Sequence, residues 1–253
     1  MGKLRSFLKQ DPHDPVITGF YQANMATGYF PKEEIEKLLP KAMSIPSDEM
    51  MAEKYPTVKK IEGMHPFMLQ GSRGSNVHFL IYNYPGRPYE EVMFYFPVIY
   101  RHGQEEQLCS YVPALYLEYL FGVILGNLYW GFRKEYHPKM VIQETTTSKA
   151  YTIKDIINAH FPQTSKTNKK ELDPFFVQTF KNPTVTVSYR NQTYFYHTDV
   201  FSITKVIDTS PVYEWNYKGS VIRNDENTFG HYSEFIFTLS KSMRYPDFFH
   251  PVA

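Results

Sequence analysis

The amino-acid sequence predicts a mainly β protein, and two observations support this prediction. Aromatic residues make up 17% of the 253 residues, with 21 tyrosines and 20 phenylalanines, and aromatic and β-branched side chains favour strands. Segments rich in these residues, such as 92–100, follow turn-forming sequences such as Pro85-Gly86-Arg87-Pro88. Because no repeat or linker divides the chain, we expect one domain over residues 1–253, with residues 1–18 as a polar N-terminal arm.

Turn and capping signals place the individual elements. Proline at a first helical position with acidic residues in the first turn predicts a helix at 31–40, and an aspartate cap before Pro174 predicts a helix from there to Phe180. Two further helices are expected at 48–55 and 152–160. Strands are predicted at 20–29, 77–82, 92–100, 184–189, 194–203, 214–222 and 234–239.

Charge and composition exclude several classes of function. The net charge is +1, so no basic surface indicates a nucleic-acid or membrane partner. The nine histidines lack the spacing of metal ligands, so we expect no metal. The single cysteine, Cys109, fits a reducing compartment, and the first residues lack an apolar signal core. We therefore expect a cytoplasmic protein.

The most informative stretch is residues 111–139, YVPALYLEYLFGVILGNLYWGFRKEYHPK. No charged residue lies between Glu118 and Arg133, and the run is shorter than the roughly 18 apolar residues that a membrane span needs. Its Val, Ile and aromatic residues favour strands, and glycine inside a strand marks a bend. The pattern predicts two buried strands joined near Gly122 or Gly126.

An extended segment from Tyr129 to Tyr136 would alternate its side chains between two faces. Lys134 would then share one face with three aromatic residues, Trp130, Phe132 and Tyr136. Burial among aromatic rings lowers the pKa of a lysine and frees its amine. A neutral amine in an apolar pocket is the group that forms a Schiff base with a carbonyl substrate.

This stretch resembles the acetoacetate decarboxylase family, whose signature it follows in register through Tyr116-Leu117-Glu118, Gly126, Trp130-Gly131-Phe132 and Lys134. The family is a standard example of an activated lysine. The resemblance implies an antiparallel β-barrel with a few peripheral helices, assembled as a homo-oligomer. It also implies that Lys134 forms the imine and that Glu91 moves a proton or orients the substrate. The aromatic face and Tyr116 are expected to contact the substrate.

The stretch also departs from the family signature. Asn127 and Leu128 stand where the family has arginine and glutamate, and Glu135 replaces a second lysine. Strand alternation would turn Glu135 to the face opposite Lys134, together with Arg133. The arginine that would hold a substrate carboxylate is not evident from the pattern, with Arg73 and Arg101 as candidates.

Three functions follow as hypotheses. The first is an enzyme of the lyase type that forms a Schiff base on a small keto acid, for decarboxylation or related aldol or dehydration chemistry. It needs no cofactor, because the imine itself delocalises the developing charge. The second is a non-catalytic member of the same fold that binds a small apolar carboxylate. The third is a structural subunit that assembles through its N-terminal arm.

Overall fold

The computed structural model describes residues 15–79, 84–129, 131, 133–163, 169, 171–223, 228–240, 243–244 and 249. Within these ranges the chain is mainly β, with seventeen strands and four helices. The strands are β1 Pro15–Pro31, β2 Met43–Ser44, β3 Met64–Phe79, β4 Tyr84–Pro85, β5 Tyr89–His102, β6 Glu105–Tyr111, β7 Leu115–Leu117, β8 Lys134–Tyr136, β9 Val141–Glu144, β10 Ser148–Ile153, β11 Ile157–Pro162, β12 Thr184–Val187, β13 Thr193–Tyr196, β14 Thr198–Thr209, β15 Val212–Tyr217, β16 Ser220–Arg223 and β17 Gly230–Ser240. The helices are α1 Lys32–Leu38, α2 Asp48–Lys54, α3 Leu120–Tyr129 and α4 Pro174–Lys181.

Most strands belong to one large sheet, in the order β13-β12-β6-β5-β3-β1-β17-β14. Its long central strand β5 pairs with β3 along its first half and with β6 along its second half. The short strand β7 pairs antiparallel with the start of β5, and β8 pairs parallel with β7. This arrangement brings β8 to the first half of β5.

A smaller sheet, in the order β16-β15-β11-β10-β9, covers one face of the large sheet. Aromatic side chains fill the space between the two sheets. Trp215 of β15 stacks on Phe94 of β5, with ring centroids 3.4 Å apart, and Tyr213 meets Phe67 edge to face. Because all four side chains are buried, this interface forms one hydrophobic core of the molecule.

A second core lies on the opposite face of the large sheet, under helix α4. Asp173 caps this helix by accepting a hydrogen bond from the backbone amide of Phe175. The helix buries Phe175, Phe176 and Phe180, which contribute to the same cluster as Phe235 of β17. Proline at the first helical position and an aspartate cap therefore produce the helix that the sequence predicts.

Several predicted elements are confirmed. The helices expected at 31–40 and 48–55 occur as α1 and α2. The strands expected at 20–29 and 92–100 are the inner parts of β1 and β5. The single strand expected at 214–222 is instead the hairpin β15–β16, which turns at Lys218 and Gly219, both at positive φ. Predicted boundaries are short because strands extend as far as their partners offer hydrogen bonds, which a local pattern does not show.

The helix predicted at 152–160 is wrong, because this segment belongs to the hairpin β10–β11. Tyr151, Ile153, Ile157, Ala159 and Phe161 are buried, and the residues between them are more exposed. A period of two residues is the pattern of a half-buried strand. The turn contains Asp155 at φ 60°, a left-handed conformation that aspartate adopts more readily than most residues.

The two strands predicted inside residues 111–139 are also corrected. The structure has strand β7, then helix α3, then strand β8. Gly122 and Gly126 lie within the helix, although glycine costs about 1 kcal/mol there relative to alanine. Tyr129 therefore ends a helix and does not begin the extended segment that was expected to display the aromatic face.

Closure of the sheet into a barrel stays a prediction, because the described residues show no ladder between the two outermost strands of the large sheet. Of the N-terminal arm expected at residues 1–18, residues 1–14 lie outside the described residues. Its last four residues, 15–18, are already the start of β1. Along the described part of the chain, no helix has the length and apolarity to cross a membrane.

Candidate active site

Lys134 begins strand β8, and neighbouring backbone groups fix its position. It lies opposite Leu115 in the parallel pairing of β7 with β8. The side-chain amide of Asn127, on helix α3, accepts from the Lys134 backbone N–H at 3.0 Å and donates to its carbonyl at 3.0 Å. The Tyr189 hydroxyl donates to the same carbonyl at 3.2 Å. Asn127 thus joins α3 to β8.

The side chain of Lys134 runs across helix α3 at Gly126. A Cβ atom added at Gly126 would lie 2.3 Å from Cδ, 2.5 Å from Cε and 3.0 Å from Nζ of Lys134. Such distances are shorter than any ordinary contact, so only glycine leaves the lysine this path. The glycine that weakens the helix therefore makes room for the lysine.

Glu91 lies on the same face of the large sheet as Lys134. Glu91 of β5 pairs with Leu117 of β7. Two residues further along β5, Met93 pairs with Leu115, and Leu115 pairs in turn with Lys134 of β8. Residues two apart on a strand share a face. Its carboxylate is 2% exposed and accepts hydrogen bonds from the hydroxyls of Tyr21, at 2.5 Å, and Ser72, at 3.3 Å. The structure therefore brings together the two residues that the sequence analysis proposed as catalytic.

The two charged groups influence each other. Burial lowers the pKa of the Lys134 amine, and the charge of Glu91 partly offsets this by raising it. Burial raises the pKa of the Glu91 carboxyl, and the charge of Lys134 opposes that shift. Desolvation is the larger effect on both, and it favours the uncharged forms, a neutral amine beside a carboxylic acid.

Lys134 lines a small cavity of about 60 Å³. The Arg87 guanidinium lies over the Tyr119 ring, 4.3 Å from its centroid. The complete lining is Ile17, Val77, Gly86, Arg87, Tyr89, Leu117, Tyr119, Gly122, Gly126, Lys134 and Leu239. The cavity is thus largely apolar, with an amine, a guanidinium and two phenols.

The predicted substrate contacts are placed differently. Trp130 and Phe132 lie outside the described residues. Tyr116 is buried on the other face of β7, where it packs against Phe94, because side chains alternate along a strand. Tyr136 shares the face of Lys134 but is 40% exposed. Neither tyrosine lines the cavity.

The predicted separation of Lys134 from Glu135 is seen in the structure. Glu135 interacts with Arg133 at 3.5 Å, between Oε1 and Nε, and with His137 at 3.8 Å. Strand alternation turns this group away from the cavity. Glu91, not the adjacent Glu135, is the carboxylate that influences the pKa of Lys134.

Three polar cavity residues, Arg87, Tyr89 and Tyr119, were not evident from the sequence. Arg87 lies in the predicted turn, just before Pro88, and Tyr89 is the first residue of β5. The two arginines considered earlier lie elsewhere. Arg73 faces Glu90 across the sheet, and Arg101 pairs with Glu106 at the distant β5–β6 hairpin. The signal that could have identified Arg87 is a cationic residue inside a proline-flanked turn, because loops and turns carry many binding residues.

Known structures share this architecture at low sequence identity. Acetoacetate decarboxylase from Legionella pneumophila is 13% identical, with a TM-score of 0.59, over 92% of this chain and 89% of that chain. The fold is that of acetoacetate decarboxylase. The enduracididine biosynthesis enzyme MppR, solved with the condensation product of pyruvate and imidazole 4-carboxaldehyde, has a TM-score of 0.61 at 10% identity, over 92% and 89% of the two chains.

An acetoacetate decarboxylase-like enzyme from Sphingomonas wittichii RW1 also shares the acetoacetate decarboxylase fold. It is 11% identical, with a TM-score of 0.54, and the match covers 92% of this chain and 94% of that chain. No protein-family model matches the sequence, and no curated protein matches it.

In the described ranges, no three histidine, cysteine, aspartate or glutamate side chains are grouped so that they could hold a metal ion.

Proposed function

We propose that this chain is an enzyme of the acetoacetate decarboxylase type, which uses Lys134 to form a Schiff base with a small keto acid. The observation that carries the proposal is the Lys134 amine in a small apolar cavity, with the buried Glu91 carboxyl on the same face of the sheet. Desolvation lowers the pKa of this amine and so increases the fraction of neutral amine at a given pH, and the neutral amine is the nucleophile.

The chemistry follows from these groups. The Lys134 amine attacks the ketone carbon, and the resulting carbinolamine takes up one proton from solvent and loses water, which leaves a protonated imine. When the bond to a β-carboxylate breaks, CO₂ leaves and the electron pair moves into the imine to give an enamine. Protonation of the enamine carbon and hydrolysis of the imine release the product. Loss of a C–H proton in place of CO₂ gives an enamine that keeps the carboxylate, and this enamine is the entry to aldol or dehydration chemistry.

Arg87 is the group that we assign to the substrate carboxylate. It lines the same cavity as Lys134, and arginine holds carboxylates through paired N–H donors. Its cation–π contact with the Tyr119 ring holds the guanidinium at the cavity wall. A keto acid would then place its carbonyl toward the lysine and its carboxylate toward the arginine.

A structural neighbour supports this class of ligand. MppR has been solved in complex with pyruvate, a keto acid of the size that a small cavity holds. We also propose the features that accompany this assignment: a single domain that closes into a barrel, assembly as a homo-oligomer, and a cytoplasmic location without a cofactor.

A second candidate function is a non-catalytic binder of small carboxylates. The charge of Glu91 raises the pKa of Lys134, and a fully charged lysine would pair with a ligand carboxylate without attacking a carbonyl. The two candidates differ in one property, which is whether the amine forms a covalent bond with a ketone.

Borohydride trapping tests this difference. The protein is incubated with pyruvate, acetoacetate and longer β-keto acids and reduced at pH 6 to 8, and the adduct is located by intact mass and peptide mapping. We expect one adduct on Lys134 that is absent in Lys134→Met. Lys218→Met is the matched control, because the pKa of Lys218 is also lowered by burial but this residue does not line the cavity. Folded wild-type protein without an adduct would favour the binder.

A further inference from the structure

A chain of hydrogen bonds connects Glu91 to the cavity through two tyrosines. The Tyr21 hydroxyl donates to Glu91 at 2.5 Å, and the hydroxyls of Tyr21 and Tyr89 lie 3.1 Å apart. Tyr89 is the member of this chain that lines the cavity with Lys134, whereas Tyr21 and Glu91 are buried and are not part of the lining. Glu91 therefore has a route for protons to the cavity through Tyr21 and Tyr89.

Gly74 makes this arrangement possible. It lies on β3 directly between Tyr21 of β1 and Tyr89 of β5, strands that are about 10 Å apart by ordinary sheet spacing. A Cβ atom at Gly74 would lie 2.9 Å from the Tyr89 ring and 3.1 Å from the Tyr21 ring. Because Gly74 has no side chain, the rings of Tyr21 and Tyr89 can both lean over β3, which brings their hydroxyls within 3.1 Å of each other.

Neighbouring contacts fix the inner members of the chain. The Tyr21 ring stacks on Phe237, with centroids 3.8 Å apart and planes at 17°. Glu91 also accepts a hydrogen bond from Ser72, which in turn accepts from Gln70 at 3.1 Å. All of these side chains are buried. A chain with fixed geometry can transfer protons without the cost of reorganising its members.

We propose that Tyr89 donates and removes the proton at the substrate carbon next to the imine, with Glu91 as the proton store behind it and Tyr21 as the link. This inference rests on the proposed function. In the forward direction the Tyr89 O–H proton passes to the enamine carbon, Tyr89 takes the proton of Tyr21, and Tyr21 takes that of the Glu91 carboxylic acid. The neutral enamine becomes a protonated imine and the Glu91 carboxylic acid becomes a carboxylate, so one proton moves and the charge balances.

The reverse direction gives a direct measurement. Wild-type protein that forms an imine with pyruvate should exchange the methyl protons of pyruvate for deuterium in D₂O, followed by proton NMR. In Tyr89→Phe we expect exchange to fall about 100-fold, the scale of general acid–base catalysis. Borohydride trapping of pyruvate on Lys134 should stay within about twofold of wild type. Tyr21→Phe should behave similarly, because it breaks the link to Glu91.

Tyr95→Phe is the matched control. This tyrosine is buried on the same strand as Tyr89, but its hydroxyl bonds to the sulfur of Met93 at 2.7 Å and not to the chain. Its exchange rate should equal that of wild type.

Three outcomes would overturn the proposal. If Tyr89→Phe exchanges at the wild-type rate while wild type traps pyruvate, the proton relay is wrong and the Schiff base remains. If Tyr89→Phe loses trapping and exchange equally, the tyrosine only shapes the cavity. If wild type neither traps nor exchanges, the proposed function itself fails.

Discussion

At the scale of single residues, the reactivity of Lys134 depends on two opposed influences. Burial lowers the pKa of its amine, and the carboxylate of Glu91 raises it in part. A lysine with a lowered pKa contains more neutral amine at a given pH, so its reaction with ketones begins at a lower pH than that of an exposed lysine. The pH dependence of the trapping rate therefore measures the net effect of burial and of Glu91 on the pKa of Lys134.

We predict that the rate of trapping on Lys134 rises with a midpoint below 10.5, the ordinary pKa of lysine. In Glu91→Gln the midpoint should move to still lower pH, because the charge that favours the ammonium form is removed. Glu135→Gln is the control. Its carboxylate is adjacent in sequence but turned toward Arg133, so the midpoint should not move. An upward movement in Glu91→Gln would contradict the assignment of the two influences.

Arg87 gives a second prediction at this scale. Charge-assisted hydrogen bonds contribute about 1.5–3 kcal/mol, which corresponds to roughly a 10- to 150-fold change in affinity. In Arg87→Leu we expect the pyruvate concentration for half-maximal trapping to rise by that factor, with no change for acetone, which has no carboxylate. Arg101→Leu, on the exposed hairpin, should match wild type for both ketones. An equal loss for pyruvate and acetone would assign Arg87 a structural role.

At the scale of elements, helix α3 serves to position the lysine. Asn127 of the helix forms two hydrogen bonds with the backbone of Lys134, and Gly126 passes beneath its side chain. The helix was not evident from the sequence because its two glycines and its Val and aromatic residues favour a strand. Contacts that form only in the folded molecule overrode that preference.

The two glycines of this helix form a matched pair of test positions. In Gly126→Ala the new methyl group would displace the Lys134 side chain, so we expect trapping to slow at least tenfold while urea unfolding shows a folded protein. In Gly122→Ala the closest contact is 3.1 Å, to the Tyr119 ring, and trapping should fall less than threefold. Equal effects at both positions would contradict the proposed path of the lysine.

At the scale of the whole molecule, a buried ion pair connects the two sheets. Lys149 of β10 donates to Glu90 of β5 at 3.2 Å, and both side chains are almost fully buried. Glu90 precedes Glu91 and points to the opposite face, so adjacent carboxylates interact with two different lysines. One pair lies at the candidate active site and the other lies between the sheets.

Removing one member of a buried ion pair typically costs 3–5 kcal/mol, because the other charge is left without a partner. We expect a loss of about this size in the unfolding free energy of Lys149→Met, measured with urea. Glu90→Gln combined with Lys149→Met should recover at least half of it. Arg223→Met, which breaks an exposed pair with Glu214 on the same small sheet, should cost about 1 kcal/mol or less. A double variant no more stable than Lys149→Met would contradict the pairing.

Local signals in the sequence predicted much of the fold. Helices α1, α2 and α4 were predicted, and so were most long strands, because helix-start signals and aromatic runs act over a few residues. The hairpin at Asp155 was misinterpreted as a helix because its turn contains no glycine or proline. The candidate site was predicted only in part, with Lys134 and Glu91 on one face.

The sequence by itself determined the mainly β architecture, the candidate lysine and the turning of Glu135 away from it, because strand alternation is a local rule. Only the tertiary structure decided that Arg87, Tyr21 and Tyr89 surround that site, and that Gly74 and Gly126 leave the space they need. These groups lie on strands and turns that are distant in the chain. Their proximity depends on strand register, which is set by pairing across the whole sheet and leaves no local pattern in the sequence.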